Sequence, residues 1–97
     1  MNKKICVVGA GYWGKNHIKT LDKLGALGSI VDPNQDSLKL LKTYYPYVNT
    51  YSKIEDALFA NYDGYVIATP ATTHFEIAKI VIKAKKHVLI CLLYTSP

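Results

Sequence analysis

Three glycines fall within six residues of this chain, in the run Gly9–Ala10–Gly11–Tyr12–Trp13–Gly14, and the pattern changes across them. Before the run, Ile5 to Val8 is continuously apolar, as expected of a parallel strand covered on both faces. After it, Ile18, Leu21 and Leu24 recur at the period of a helix, expected over Gly14 to Leu24 with those three side chains facing a sheet. A loop that only reversed the chain would not need three spaced glycines. A loop seating a pyrophosphate does. The first glycine permits the tight turn, the second lets an anionic group approach the backbone, and the third lets the helix lie close to the strand. The helix N-terminus then turns free N–H groups and a partial positive charge toward the anion. In this strand–loop–helix setting the hexamer is the dinucleotide-binding fingerprint.

The remainder alternates short β-rich runs with helix-period segments, the mark of a parallel sheet with crossover helices. Gly25 is placed to stop the first helix. Leu27 to Val31 is the second strand and ends at Asp32. A turn at Pro33–Asn34 leads to a helix over Gln35 to Tyr44, with Leu38, Leu41 and Tyr45 inward and Pro46 ending it. Val48 to Tyr51 is the third strand. Ser52–Lys53–Ile54–Glu55 has the form of a capping box, predicting a small helix to about Ala60. Tyr65 to Ala68 is the fourth strand. Thr73–His74–Phe75–Glu76 offers a second capping box for a helix to about Ala84, whose apolar face is Ile77, Ala78, Val81 and Ala84. His87 to Ile90 is the fifth strand. The expected fold is α/β: a Rossmann-like, doubly wound parallel sheet of about five strands.

Composition narrows the function classes. At 97 residues there is room for one domain, and no apolar run approaches the ~18 residues of a membrane helix. The run behind Met1–Asn2–Lys3–Lys4 is short and enters a glycine turn, so it is a strand and not a signal peptide, and the cytoplasm is the default location. The two cysteines, Cys6 and Cys91, make no disulfide framework, and Cys6 is expected in the core. His17, His74 and His87 lack zinc-type spacing with them, so no metal site is expected. The net charge of +5 comes entirely from lysine against acid. Lys15, Lys19 and Lys23 recur at four-residue steps as an outer helix face would. Without arginine for bidentate base contacts, no nucleic-acid partner is expected, although the charge favours approach of an anionic ligand.

Asp32 is the expected cofactor discriminator. A carboxylate closing the second strand accepts the adenosine ribose hydroxyls and repels a 2′-phosphate, so NAD is expected in preference to NADP. The competing reading is that Asp32 only caps the following turn. In an open α/β sheet the ligand lies beyond the carboxyl ends of the strands where strand order reverses, which brings in Thr69 and Pro70 after the fourth strand. His74 faces the same cleft or is a surface residue of a helix's first turn; both readings stand. Tyr12 and Trp13 are expected to contribute through their backbone. No nucleophile–base or carboxylate pair is placed by the sequence, so no catalytic residue is assigned.

These residues also carry a resemblance. The stretch GAGYWGKNHIKTL from Gly9 to Leu21 resembles the opening of the Gfo/Idh/MocA oxidoreductases. So do Val66–Ile67–Ala68–Thr69–Pro70, Thr73–His74 and His87–Val88–Leu89, and the likeness runs from about Lys3 to Ile90. It is nearest to members acting on UDP-linked amino-sugars. It implies an NAD(P)-binding Rossmann domain over residues 1–90. A larger domain would follow to hold a sugar or nucleotide-sugar and mediate homo-oligomers, with reversible hydride transfer between a sugar hydroxyl carbon and nicotinamide. Matched residue by residue, Gly9, Gly11, Tyr12, Trp13 and Gly14 fall on the pyrophosphate loop, Asp32 on the ribose acid, and Thr69, Pro70 and His74 on the nicotinamide side. The family's Glu-Lys-Pro after the fifth strand is replaced by Cys91–Leu92–Leu93, so its catalytic lysine has no counterpart. The resemblance therefore implies a C-terminally truncated domain, with residues 91–97 a non-native tail, no substrate domain, and no activity from this piece alone. A non-catalytic nucleotide-binding module and an S-adenosylmethionine-binding Rossmann domain are the alternatives. The third glycine and the Thr69–Pro70 loop weigh against the latter.

Overall fold

The computed structural model describes residues 3–69, 71–84 and 88–90, with backbone only at 12, 13, 71–75 and 88–90. Among the described residues five strands and four helices alternate. They are β1 (Ile5–Val8), α1 (Tyr12–Lys23), β2 (Leu27–Val31), α2 (Gln35–Tyr44), β3 (Asn49–Tyr51), α3 (Ile54–Phe59), β4 (Gly64–Ile67), α4 (Ala71–Lys83) and β5 (Val88–Ile90). All strand pairs are parallel, in the order β3-β2-β1-β4-β5. The chain therefore starts at the centre, winds outward to β3, and crosses back to β4 on the other side of β1. That reversal opens the crevice between the ends of β1 and β4 where an α/β sheet takes its ligand.

Because neighbouring side chains of a strand point to opposite faces, each strand feeds two cores. On one face Val7, Ile30 and Leu27 pack with Ile18 of α1, Leu38 and Leu41 of α2, and Val48. On the other, Cys6, Val8, Val31, Tyr65 and Ile67 pack with Ile54 and Ala57 of α3 and Val81 of α4. Both faces are covered, as the apolar runs of β1 and β4 require. Lys15, Lys19 and Lys23 are exposed on the outer side of α1. No helix among the described residues is long and apolar enough to cross a membrane.

Several local expectations shift. α1 begins at Tyr12, two residues before Gly14, and Leu24 is its C-cap, 72% exposed and not facing the sheet. Gly25 follows at φ 72°, the left-handed step that lets the chain leave the helix. The box at Ser52 is not made: the N-cap of α3 is Lys53, with no side-chain cap. Helix α4 already runs at Ala71, so Thr73 lies inside it and not at its start, and Ala84 is exposed beyond its end. Asn34, expected in a turn, is the N-cap of α2. The Asn34 Oδ1 accepts from the backbone N–H groups of Asp36 and Ser37 at 2.9 and 3.1 Å.

Tyrosines pin α3 to the sheet. The buried Tyr65 hydroxyl donates to the Ala57 carbonyl at 3.0 Å and accepts from the Tyr62 N–H at 3.2 Å, while the Tyr62 and Tyr51 hydroxyls meet at 3.1 Å. Hydrogen bonding to Tyr62, with burial second, pushes the Tyr51 phenol up to about 12. Burial pushes the Cys6 thiol up to about 12 from 9.0. A group whose native pKa is raised stabilises the fold below its unfolded pKa and loses that contribution as pH rises toward the native one. Unfolding free energy is therefore expected to fall between pH 9 and 12, with Cys6 contributing a slope of about 1.4 kcal/mol per pH unit. Urea unfolding across that range checks it. The slope of Cys6→Ala should be shallower, and an identical slope would contradict the assignment.

Candidate functional site

The carboxyl ends of three strands leave the sheet together. Beyond β1, the Gly9 N–H donates to the Val31 carbonyl at 2.7 Å, and the Ala68 N–H donates to the Val8 carbonyl at 2.8 Å. Beyond β2, the Asp32 N–H donates to the Tyr51 carbonyl at 3.0 Å. The glycine loop thus rises between the exits of β2 and β4, at the crevice set by the strand order.

Each glycine of the loop meets a different constraint. Gly9 has φ 100°, a backbone state that side chains disfavour, and a Cβ there would lie 3.0 Å from the Ala68 backbone and Thr69 Cγ2. At Gly14 a Cβ would come within 1.8 Å of the Gly9 carbonyl oxygen, so this glycine is what lets α1 cross the end of β1. Gly11 is the opposite case: among the described residues nothing lies within 4 Å of where its Cβ would be. The loop is closed on its sheet side and open above Gly11.

Gly11 is also the N-cap of α1, and it supplies no side chain to the helix's first amides. The first intrahelical bond formed from this cap runs from the Lys15 N–H to the Gly11 carbonyl at 2.9 Å, leaving the amides of 12 to 14 without an intrahelical acceptor. No acidic residue sits in the first turn. Helix α2 differs on both counts, with Asn34 on its amides and Asp36 in its first turn. One helix end is sealed by its own side chains. The other has no side-chain cap of its own.

The Asp32 side chain turns toward this loop. Its Oδ2 accepts the Ala10 N–H at 2.8 Å and its Oδ1 accepts the Asn34 N–H at 2.8 Å. The turn-capping reading is therefore part of what Asp32 does, and the loop-facing orientation is the other part. An ionised carboxylate offers about four lone-pair sites, so two acceptor positions remain beyond these bonds. Thr69 stands beside Gly9, and its Oγ1 is buried without a hydrogen-bond partner among the described residues. A buried hydroxyl left in this state is short of a partner that a ligand can provide.

The loop, Asp32 and Thr69 are brought together. Tyr12 and Trp13 form the first residues of α1, and His74 lies in the opening turns of α4. Pro70 lies outside the described residues, as do the side chains of Tyr12, Trp13 and His74, and Cys91–Leu92–Leu93 with the rest of 91–97. Two surface grooves, of about 440 and 420 Å³, flank α4 and the α1–α2 pair, and neither is lined by a glycine of the loop, Asp32 or Thr69. Among the described residues no three His, Cys, Asp or Glu side chains are grouped to hold a metal ion. Sequence reading missed the Ala10–Asp32 bond, because nothing local to either residue signals it. The Asn34 cap had a signal, an Asn immediately before a helical pattern.

The space over Gly11, the α1 amides without a side-chain cap and the Thr69 hydroxyl, which has no partner among the described residues, fit a dinucleotide phosphate and its sugar. Comparison with known proteins agrees in kind. Residues 3–90 match the family model GFO_IDH_MocA, described as an oxidoreductase family with an NAD-binding Rossmann fold. A UDP-N-acetylglucosamine 3-dehydrogenase of Acidithiobacillus ferrooxidans is 30% identical over 89 residues, covering 87% of this chain and 26% of the relative. The WlbA dehydrogenase of Bordetella pertussis, solved with NADH and UDP-GlcNAcA, superposes with a TM-score of 0.84 at 31% identity, over 93% of this chain and 29% of that one. GenD2 from gentamicin A biosynthesis, solved with NAD, gives 0.84 at 30% identity, over 92% and 26%. The chain spans under a third of the length of each of these relatives.

Proposed function

The chain belongs to the Gfo/Idh/MocA oxidoreductase family, and on that footing we propose that it is the NAD-binding part of a sugar dehydrogenase. The observation that carries this reading is the space above Gly11 beside uncapped helix amides, with Asp32 drawn to the same loop. In this proposal the amides of 12 to 14 hold the pyrophosphate, with the helix dipole adding to them. Gly9 and Gly14 keep the loop close to the sheet. Asp32 accepts ribose hydroxyls with its remaining lone pairs, and Thr69 donates its hydroxyl on the β4 side. Pro70 and His74 are assigned by resemblance to the nicotinamide side, and Tyr12 and Trp13 to the loop through their backbone.

Bound NAD would supply a nicotinamide carbon that takes up or returns a hydride. The chain's own residues hold and orient the dinucleotide, and none is assigned a proton-transfer role. The sugar, a nucleotide-sugar by analogy with the WlbA complex and the A. ferrooxidans enzyme, would then be held by a further domain of the whole protein, which also makes the oligomer. On this reading residues 1–90 are the cofactor-binding domain, which holds NAD in the cytoplasm without itself carrying a catalytic residue.

Calorimetric titration with NAD, NADP and S-adenosylmethionine tests the reading. NAD is expected to bind more tightly than NADP, and binding of S-adenosylmethionine alone would overturn it. Asp32→Ala should weaken NAD about 10- to 100-fold, the worth of hydrogen bonds to a charged group. NADP should lose less, because the same change removes repulsion of the 2′-phosphate. Equal losses for the two would show that Asp32 does not discriminate between them.

A further inference from the structure

We propose that Asp32 is also a positioning residue, a latch that holds the glycine loop in its binding shape before any dinucleotide arrives. The inference deepens the cofactor reading and rests on it for its consequence, but the latch itself is a property of the free chain. Its parts are three bonded steps. The Ala10 N–H donates to Asp32 Oδ2 at 2.8 Å, the Asn34 N–H donates to Asp32 Oδ1 at 2.8 Å, and the Asn34 Oδ1 accepts the Asp36 and Ser37 N–H groups of α2. One carboxylate thereby ties the loop after β1 to the N-terminus of α2, and Asp32 reaches Ala10 across a separation of 22 residues.

Why the loop needs a tie follows from its composition. Ala10 is buried among the α1–α2 core residues, so its N–H must find an acceptor inside the fold. Gly9 on one side is already bonded to the Val31 carbonyl. Gly11 on the other contributes no side chain and meets none of the described residues within 4 Å of its would-be Cβ. The Asp32 carboxylate is the acceptor the structure gives Ala10, and a bond to an ionised acceptor is stronger than one to a neutral oxygen. Loop order and ribose recognition are thus placed on the same side chain.

A consequence for specificity follows. Removing the carboxylate lifts repulsion of a 2′-phosphate but also frees the loop that both dinucleotides need. Cofactor preference is therefore not inverted at Asp32 alone: NADP affinity of Asp32→Ala stays below the NAD affinity of the unaltered chain.

Amide hydrogen exchange on the cofactor-free chain tests the latch directly. In Asp32→Ala, the Ala10 amide should exchange at least about tenfold faster, while the Gly9 amide, bonded to Val31, keeps its protection. Unchanged exchange at Ala10 would overturn the proposal. If Asp32→Ala exposes every amide by unfolding, Asp32→Asn serves instead, since its single carbonyl oxygen replaces two charged acceptors at Ala10 and Asn34. Loss of protection at either Ala10 or Asn34, with Gly9 retained, supports the latch in that variant, and retention at all three overturns it. Because no cofactor is present, failure here leaves the NAD titration untouched, and failure to bind NAD leaves the exchange result standing.

Discussion

Gly14→Ala should destabilise the fold by about 3 kcal/mol or more, although alanine is the better helix former by about 1 kcal/mol. The steric effect wins because the new methyl would sit 1.8 Å from the Gly9 carbonyl oxygen and 2.8 Å from its carbon. Those atoms belong to the backbone of the loop, not to a side chain that can rotate away. Relief requires α1 to lift from β1, which would uncover Ile18, wholly buried among Val7, Ile30 and Leu38. For a domain of this size the loss corresponds to a melting temperature lower by roughly 12 °C or more. Thermal unfolding by circular dichroism measures it. A melting temperature within a few degrees of the unaltered chain would mean that α1 does not lie as close to β1 as described.

Gly11→Val should do the reverse, leaving the fold in place and removing NAD binding. The backbone at Gly11 has φ −73° and ψ −162°, which any residue adopts, and no described residue occupies the space its side chain would enter. The branched side chain would instead fill the cradle assigned to the pyrophosphate. The expected loss in NAD affinity is at least hundredfold, or about 2.7 kcal/mol, with a melting temperature close to that of the unaltered chain. Calorimetry with NAD and a thermal scan on the same sample separate the two effects. Unchanged affinity would count against the placement of the phosphates. The pair of variants is informative because two glycines three residues apart answer to opposite constraints, one a contact and one a space.

Much of this was legible in the sequence because the signals are local. The apolar run Ile5–Val8, the glycine spacing and the helix period after it put β1, the loop and α1 in order. Asp32 at the end of β2 followed from its place after Val31. The features that escaped are those in which distant segments meet. The 2.8 Å bond between Ala10 and Asp32 exists because β1 and β2 are neighbours, and neither residue's surroundings in the chain announce it. The start of α1 at Tyr12 was missed because its cap, Gly11, has no side chain to read. Ser52–Lys53–Ile54–Glu55 had the spacing of a capping box, yet α3 opens one residue later, where burial of Ile54 and Ala57 against Tyr65 fixes the helix. Tertiary packing overrode a local preference there. Thr69 was picked out by position alone; that its hydroxyl is buried without a partner among the described residues needed the fold.

The rest depends on a diphosphate seated where β1 passes into α1. Titrating NAD into the isotopically labelled chain, and following each backbone amide by nuclear magnetic resonance, addresses that seat without reference to catalysis. The amides of residues 9 to 14 and that of Thr69 should shift most, with saturation at a common affinity. Saturable binding that moves amides elsewhere while residues 9 to 14 stay unmoved would place the dinucleotide at another surface.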